Sequence, residues 1–118
     1  MESDNQVIKI TGLNKEFDNG RKAVKNLNLK IYNDQIFVLL GHNGAGKTTT
    51  ISMLTGMLEP HSGDIEALGF NLKTDMEQVR ERMGICPQHD TLYDELTVKE
   101  HLQLFGTFKG LNSTALDE

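Results

Sequence analysis

The sequence predicts an α/β fold in which a partial parallel sheet with flanking helices follows a small antiparallel β-subdomain. Three observations predict this class. Residues 27–31 alternate strictly between apolar and polar side chains, as a strand with one buried face does. Residues 36–40 are all apolar, which is typical of a strand covered on both faces in a parallel sheet. A glycine-rich loop and an apolar pattern with helical spacing follow directly, which is the order of a strand–loop–helix unit.

The antiparallel subdomain is predicted from the first part of the chain. Residues 7–13 alternate in part and are expected to form one strand, with residues 27–31 as the second. The turn residues Asp18-Asn19-Gly20 between them readily adopt the positive φ angles that close hairpins. Asn33-Asp34 indicates a further turn. We therefore expect two antiparallel, half-exposed strands.

The apolar strand continues through the glycine loop into a helix predicted over residues 47–58. Three apolar residues at helical spacing are expected to face the core, namely Ile51, Leu54 and Leu58. Residues 59–63 contain a proline and a glycine, which end the helix. A short strand is predicted over residues 64–68.

Two further helices are predicted in the last third of the chain. Residues 75–83 form an exposed amphipathic pattern, and residues 84–86 are expected to form a short strand before a proline. Thr97 with Glu100 three positions later is the signature of a capping box, which begins a helix. The apolar face of this helix is expected at Val98, Leu102 and Phe105. Gly110 is expected to close it.

Length and composition favour a single domain that is not built to bind nucleic acid. The chain has 118 residues and a formal charge of −5, whereas nucleic-acid-binding proteins usually carry a basic excess. The single cysteine, Cys86, excludes an internal disulfide framework and is expected to be a small buried side chain. The polar, acidic N-terminal residues do not form a signal peptide, and the longest apolar run is far shorter than the ~20 residues that span a bilayer.

The glycine-rich loop matches the phosphate-binding pattern G-x-x-x-x-G-K-[ST] through Gly41, Gly46, Lys47 and Thr48. Glycines allow positive φ and let the backbone approach a ligand closely, and loop N–H groups with the following helix N-terminus attract phosphate oxygens. The expected nucleotide-binding residues are Gly41, His42, Asn43, Gly44, Ala45, Gly46, Lys47, Thr48 and Thr49. The pattern predicts binding of a nucleoside triphosphate.

Each polar residue of the loop has an expected task. Lys47 is expected to reach the β- and γ-phosphates, and the Thr48 hydroxyl to ligate Mg²⁺. Thr49 offers a hydroxyl near the α-phosphate. These features alone leave ATPases, GTPases and small-molecule kinases open.

Residues 41–50 resemble the Walker A motif of an ABC transporter nucleotide-binding domain. The His-Asn pair in this segment is similar to the residues found there in subfamily A, the lipid-transporter branch. Residues 84–90, Gly-Ile-Cys-Pro-Gln-His-Asp, resemble the Q-loop of that family. Residues 92–102 resemble the stretch that follows it, including the Leu-Thr-Val-x-Glu helix start. The resemblance covers nearly the whole chain, and it implies a P-loop NTPase core.

The resemblance assigns two further site residues. Phe17 occupies the position of an aromatic ring that stacks on adenine, although a Phe there could instead pack within the hairpin or the core. Gln88 resembles the glutamine whose side-chain oxygen approaches Mg²⁺ and the attacking water, so that Lys47 and Gln88 have catalytic roles and Thr48 and Gln88 metal contacts. The implied cofactors are ATP and Mg²⁺. The implied partners are a transporter's transmembrane domain and a second nucleotide-binding domain, at the cytoplasmic face of a membrane.

The sequence also lacks motifs that the family's ATPase needs. It contains no Leu-Ser-Gly-Gly-Gln-like signature, no apolar strand ending in Asp-Glu and no switch histidine. Residues 1–118 are therefore expected to be the N-terminal portion of a single ATP-binding domain whose complete form couples ATP hydrolysis to transport of lipid. The alternative is a truncated nucleotide-binding fragment without ATPase activity. A soluble ABC protein of translation or repair is a third reading, and a GTPase is disfavoured because the Asn-Lys-x-Asp and Asp-x-x-Gly elements are missing.

Overall fold

The computed structural model describes residues 5–42, 46–88 and 91–116. The chain divides into two compact units, Met1–Met83 and Gly84–Glu118. The first contains strands β1 (Gln6–Glu16), β2 (Lys22–Tyr32), β3 (Ser62–Ala67) and β4 (Phe70–Asn71), with helices α1 (Lys47–Leu54) and α2 (Met76–Glu81). The second contains helices α3 (Val98–Phe108) and α4 (Ser113–Leu116).

The four strands form one sheet in the order β2-β1-β3-β4, and each neighbouring pair is antiparallel. The predicted antiparallel hairpin is confirmed. Its turn is closed by backbone hydrogen bonds from the Phe17 N–H to the Arg21 carbonyl (2.9 Å) and from the Gly20 N–H to the Phe17 carbonyl (2.8 Å). The turn predicted at Asn33-Asp34 is also present.

The core of the first unit lies between one face of the sheet and α1. Its buried residues are Ile10, Leu13, Val24, Met53 and Ile65. Leu54 and Leu58 pack against this cluster as predicted, whereas the predicted core residue Ile51 is half exposed. The helix buries Thr50 and Met53 instead, so its buried face is rotated relative to the face that the apolar pattern predicted.

The prediction of a parallel strand over residues 36–40 is wrong. The segment is coil, and Ile36 and Leu40 are 97% and 85% exposed. A strand needs a neighbour that accepts and donates its backbone hydrogen bonds. Among residues 5–42, 46–88 and 91–116, none pairs with this segment. An apolar run alone therefore does not make a strand.

The second unit confirms one prediction and overturns two. The capping box is present: the Thr97 N–H donates to Glu100 Oε1 (3.0 Å), and the Glu100 N–H donates to the Thr97 hydroxyl (3.2 Å). The Thr97 backbone and then its side chain hold the pKa of the Glu100 carboxyl below its usual range. Residues 84–86 are not a strand, and Cys86 is exposed rather than buried. Both predictions fail for the same reason. This segment can form a strand and be buried only if it pairs with a neighbouring strand of a sheet.

Candidate functional site

The predicted phosphate loop meets the sheet at Gly46, which stands before the first turn of α1. Gly46 has φ of 92°, in the left-handed region that favours glycine. A Cβ at this position would lie 2.4 Å from the carbonyl oxygen of Ala23 in β2. The close approach of loop and strand therefore excludes any side chain, and it fixes the start of α1 against β2.

The first turn of α1 presents Lys47, Thr48 and Thr49. The Thr50 hydroxyl and N–H both donate to the Gly46 carbonyl, at 2.8 and 2.9 Å, and Thr50 is buried. No side chain caps this helix in the described residues. The N–H groups of a first helical turn have no partner within the helix, and the helix dipole is positive there. This end of α1 can therefore attract an anion.

The Lys47 side chain connects the two ends of the loop. Its ammonium Nζ donates to the carbonyl of Gly41 at the other end of the loop. The charge is thus held at the loop, where a phosphate chain would need it. Gly41 and His42 are exposed coil, and the remaining three predicted loop residues, Asn43, Gly44 and Ala45, lie outside the described residues.

One cavity joins this helix end to the hairpin turn. It has a volume of about 270 Å³ and is lined by Phe17, Arg21, Ala23, Gly46, Lys47, Thr48 and Thr49. Phe17 is 39% exposed, so its ring is available on the cavity side rather than packed into the core. The structure therefore brings the residue expected to stack on adenine together with the residues expected to bind phosphates.

The chemistry of the cavity fits a magnesium–nucleotide complex. Lys47 supplies a cation, Thr48 an exposed hydroxyl and Phe17 an aromatic face. Groups of three or more His, Cys, Asp or Glu that could hold a metal by themselves do not occur among the described residues. A metal held by a hydroxyl and by the ligand's own phosphates does not need such a group.

Gln88 stays a prediction. It is exposed and belongs to the second unit, whereas the cavity belongs to the first. Its expected contacts with a metal and a water molecule are not tested by the geometry within either unit. His89 and Asp90, which follow it in the Q-loop pattern, lie outside the described residues.

Two cavity residues were missed by the sequence analysis, Arg21 and Ala23. The signal that could have found Arg21 was the hairpin turn itself. A turn at residues 18–20 places residue 21 opposite residue 17, so that both side chains leave the same face. Ala23 follows at the alternate position along β2.

Comparison with known proteins shows the family of this chain. A family model described as ABC transporter matches residues 24–117. The chain therefore belongs to the ABC transporter family.

The two relatives described next are members of its sub-family A, as the resemblance of the loop predicted. The human Phospholipid-transporting ATPase ABCA3 is 55% identical over 108 residues, which cover 89% of this chain and 6% of that protein. The rat ATP-binding cassette sub-family A member 7 is 45% identical over 111 residues, which cover 93% of this chain and 5% of that protein. The chain thus spans only about a twentieth of the length of these relatives.

Solved structures confirm the predicted fold class. The ATP-binding subunit of an ABC transporter superimposes with a TM-score of 0.79 at 30% identity, over 92% of this chain and 45% of that chain. The cbiO1 protein of Clostridium perfringens gives a TM-score of 0.83 at 24% identity, over 96% and 47%. The second likeness shows the fold alone.

The described helices include none that is long and apolar enough to cross a membrane.

Proposed function

We propose that this chain binds ATP with Mg²⁺ in the cavity between the hairpin turn and the N-terminus of α1. The observation that carries the proposal is the lining of that cavity, in which Phe17 shares one space with Lys47, Thr48 and Thr49. An aromatic face suits a base, and a helix N-terminus with a lysine suits a phosphate chain. Both kinds of group line one cavity, and the two ends of a nucleotide require both.

Each side chain has a distinct part in this proposal. Lys47 would leave the Gly41 carbonyl to bind phosphate oxygens, since a charged acceptor makes a stronger hydrogen bond than a carbonyl does. Thr48 would hold Mg²⁺, which when bound offsets the negative charge of the outer phosphates. Thr49 would donate its hydroxyl closer to the base. Gly46 keeps the loop against β2, so that the helix end is presented to the cavity.

Titration with a fluorescent ATP analogue tests the proposal. Lys47→Ala removes the phosphate-binding cation and should weaken ATP binding by about tenfold or more, the range of a hydrogen bond to a charged group. Lys30→Ala is the matched control, because it removes the same charge from an exposed position in β2 that does not line the cavity. Unchanged ATP affinity in Lys47→Ala would refute the phosphate-binding argument.

Phe17→Ala tests the base end separately. The variant should bind ATP more weakly while its affinity for inorganic triphosphate stays the same, since only ATP carries a base. Equal losses for the two ligands would remove Phe17 from the base site and favour a packing role within the hairpin.

We further propose that residues 1–118 are the N-terminal portion of one nucleotide-binding domain that couples ATP hydrolysis to movement of lipid. Relatives named as phospholipid-transporting ATPases support the substrate class. Transmembrane domains and a second nucleotide-binding domain would be its partners, at the cytoplasmic face of a membrane. Lys47→Ala in a full-length transporter that contains this segment should abolish ATP-dependent transfer of fluorescent phospholipid between bilayer leaflets, and intact transfer would contradict the proposal.

The second candidate is binding without turnover by the 118-residue chain itself. It is favoured by the sequence, which has no apolar strand ending in Asp-Glu to place a carboxylate beside an attacking water. Phosphate release from ATP should therefore not exceed the background of Lys47→Ala. Catalytic release that disappears in this variant would show that the chain hydrolyses ATP by itself.

A further inference from the structure

Arg21 is not among the site residues predicted from the sequence, but the hairpin places it opposite Phe17. The Phe17 N–H donates to the Arg21 carbonyl at 2.9 Å, so the two residues face each other across the turn. Directly paired residues of an antiparallel hairpin project their side chains from the same face. Both residues line the cavity at the start of α1.

The neighbouring pair projects to the other side. Glu16 and Lys22 are register partners in the same hairpin, one position further from the turn. They line a different cavity together with His61 and Ser62. Because side chains alternate between the two faces of a strand, adjacent basic residues are separated here: Arg21 belongs to the α1 cavity and Lys22 does not.

The α1 cavity has a local charge opposite to that of the chain. Its charged lining residues are Arg21 and Lys47, and none of its lining residues among those described is acidic. The chain as a whole carries a formal charge of −5. Two cations in a lining whose described residues include no carboxylate are suited to a ligand with more than one negative charge.

We propose that Arg21 is a second cationic contact for the bound nucleotide, placed at the base-side end of its phosphate chain. Lys47 belongs to the first turn of α1, whereas Arg21 lies opposite Phe17 in the hairpin. A guanidinium presents several donors in a rigid fork that fits phosphate oxygens. The inference rests on the proposed ATP site and adds a residue to it.

The test compares Arg21→Gln with Lys22→Gln. Both variants remove one positive charge from adjacent positions, but only Arg21 faces the α1 cavity. Arg21→Gln should weaken binding of the fluorescent ATP analogue about fivefold, because an exposed charge contact is partly screened by solvent. Lys22→Gln should leave the affinity unchanged. Equal affinities of the two variants would overturn the role of Arg21.

The backbone hydrogen bonds of Arg21 should be kept in the variant. The backbone bonds of Arg21, from its N–H to Asn19 Oδ1 (3.0 Å) and to its carbonyl from Phe17, do not depend on the side chain. Salt dependence is the second measurement: raising the salt concentration should weaken ATP binding less in Arg21→Gln than in the unmodified chain. Identical salt dependence would also overturn the proposal.

Lys47→Ala in the same series distinguishes failure of the Arg21 contact from failure of the proposed ATP site. If Lys47→Ala weakens ATP binding and Arg21→Gln does not, the ATP site stands and the Arg21 contact fails. If the unmodified chain does not bind ATP, or Lys47→Ala has no effect, the proposed function itself fails.

Discussion

Replacement of Gly46 by alanine is the sharpest test of how the phosphate loop is built. Two separate costs are expected. The positive φ of 92° costs a non-glycine residue about 1–2 kcal/mol. The new methyl group would also lie 2.4 Å from the Ala23 carbonyl oxygen, which belongs to the backbone of a paired strand and cannot rotate away. Overpacking of this kind typically adds about 1–3 kcal/mol.

Gly69→Ala is the control that isolates the steric part. Gly69 has a similar φ of 84°, but nothing lies within 4 Å of the position of its added Cβ. Its substitution should therefore cost only the conformational term of about 1–2 kcal/mol. Gly46→Ala should lower the free energy of unfolding by about 1–3 kcal/mol more than this control does.

Urea unfolding followed by far-UV circular dichroism measures the difference. With the slope of about 1–3 kcal/mol per molar expected for small proteins, the midpoint of Gly46→Ala should lie roughly 1 M below that of Gly69→Ala. Gly46→Ala should also weaken ATP binding, since the helix end is displaced from the cavity, whereas Gly69→Ala should not. Equal midpoints and equal ATP affinities of the two variants would refute the close approach of the loop to β2.

Three further predictions concern the rest of the chain. Hydrogen bonds with the Thr97 backbone and side chain lower the pKa of the Glu100 carboxyl, so its capping box stabilises α3 at neutral pH, and this stabilisation is lost as the pH falls through the lowered pKa. The helicity of Glu100→Gln should lack this acid-dependent step, and an identical step in both proteins would contradict the prediction. Asn14→Ala removes side-chain hydrogen bonds that join β1 to β2 and β3. The free energy of unfolding measured by urea titration should therefore fall by about 1–3 kcal/mol, and an unchanged value would refute this prediction. The exposed apolar segment 36–40 should cause the chain to self-associate, as measured by light scattering, and the double variant Ile36→Ser with Leu40→Ser should associate less. A monodisperse monomer with a cooperative melt would contradict the prediction.

Elements that depend on near neighbours in sequence were predictable. The hairpin turn at residues 18–20 and the capping box of Thr97 and Glu100 are each closed by groups a few positions apart, so their residue types alone indicate the structure. The start of α1 at Lys47 was predictable for the same reason, because the spacing of the loop pattern indicates which residue begins the helix.

Elements that depend on distant partners were not predictable with the same success. Residues 36–40 have the composition of a buried strand, but strand formation requires a neighbour elsewhere in the chain, and the described residues provide none. Cys86 was expected to be buried because of its residue type, although burial is a property of the layer that covers a residue. The face of α1 was misjudged at Ile51 because the position of the sheet decides which side of the helix is covered.

The sequence by itself determined that this protein has a glycine-rich loop with the phosphate-binding pattern, a hairpin before it and a family to which both belong. Only the tertiary structure decided what surrounds that loop. The pairing of β1 with β2 brings Phe17 and Arg21 to one face of the hairpin, and the contact of Gly46 with β2 brings the start of α1 to the same place. The physical reason is that a cavity is formed by residues distant in sequence, whose meeting is fixed by strand register and close backbone approach rather than by any local pattern.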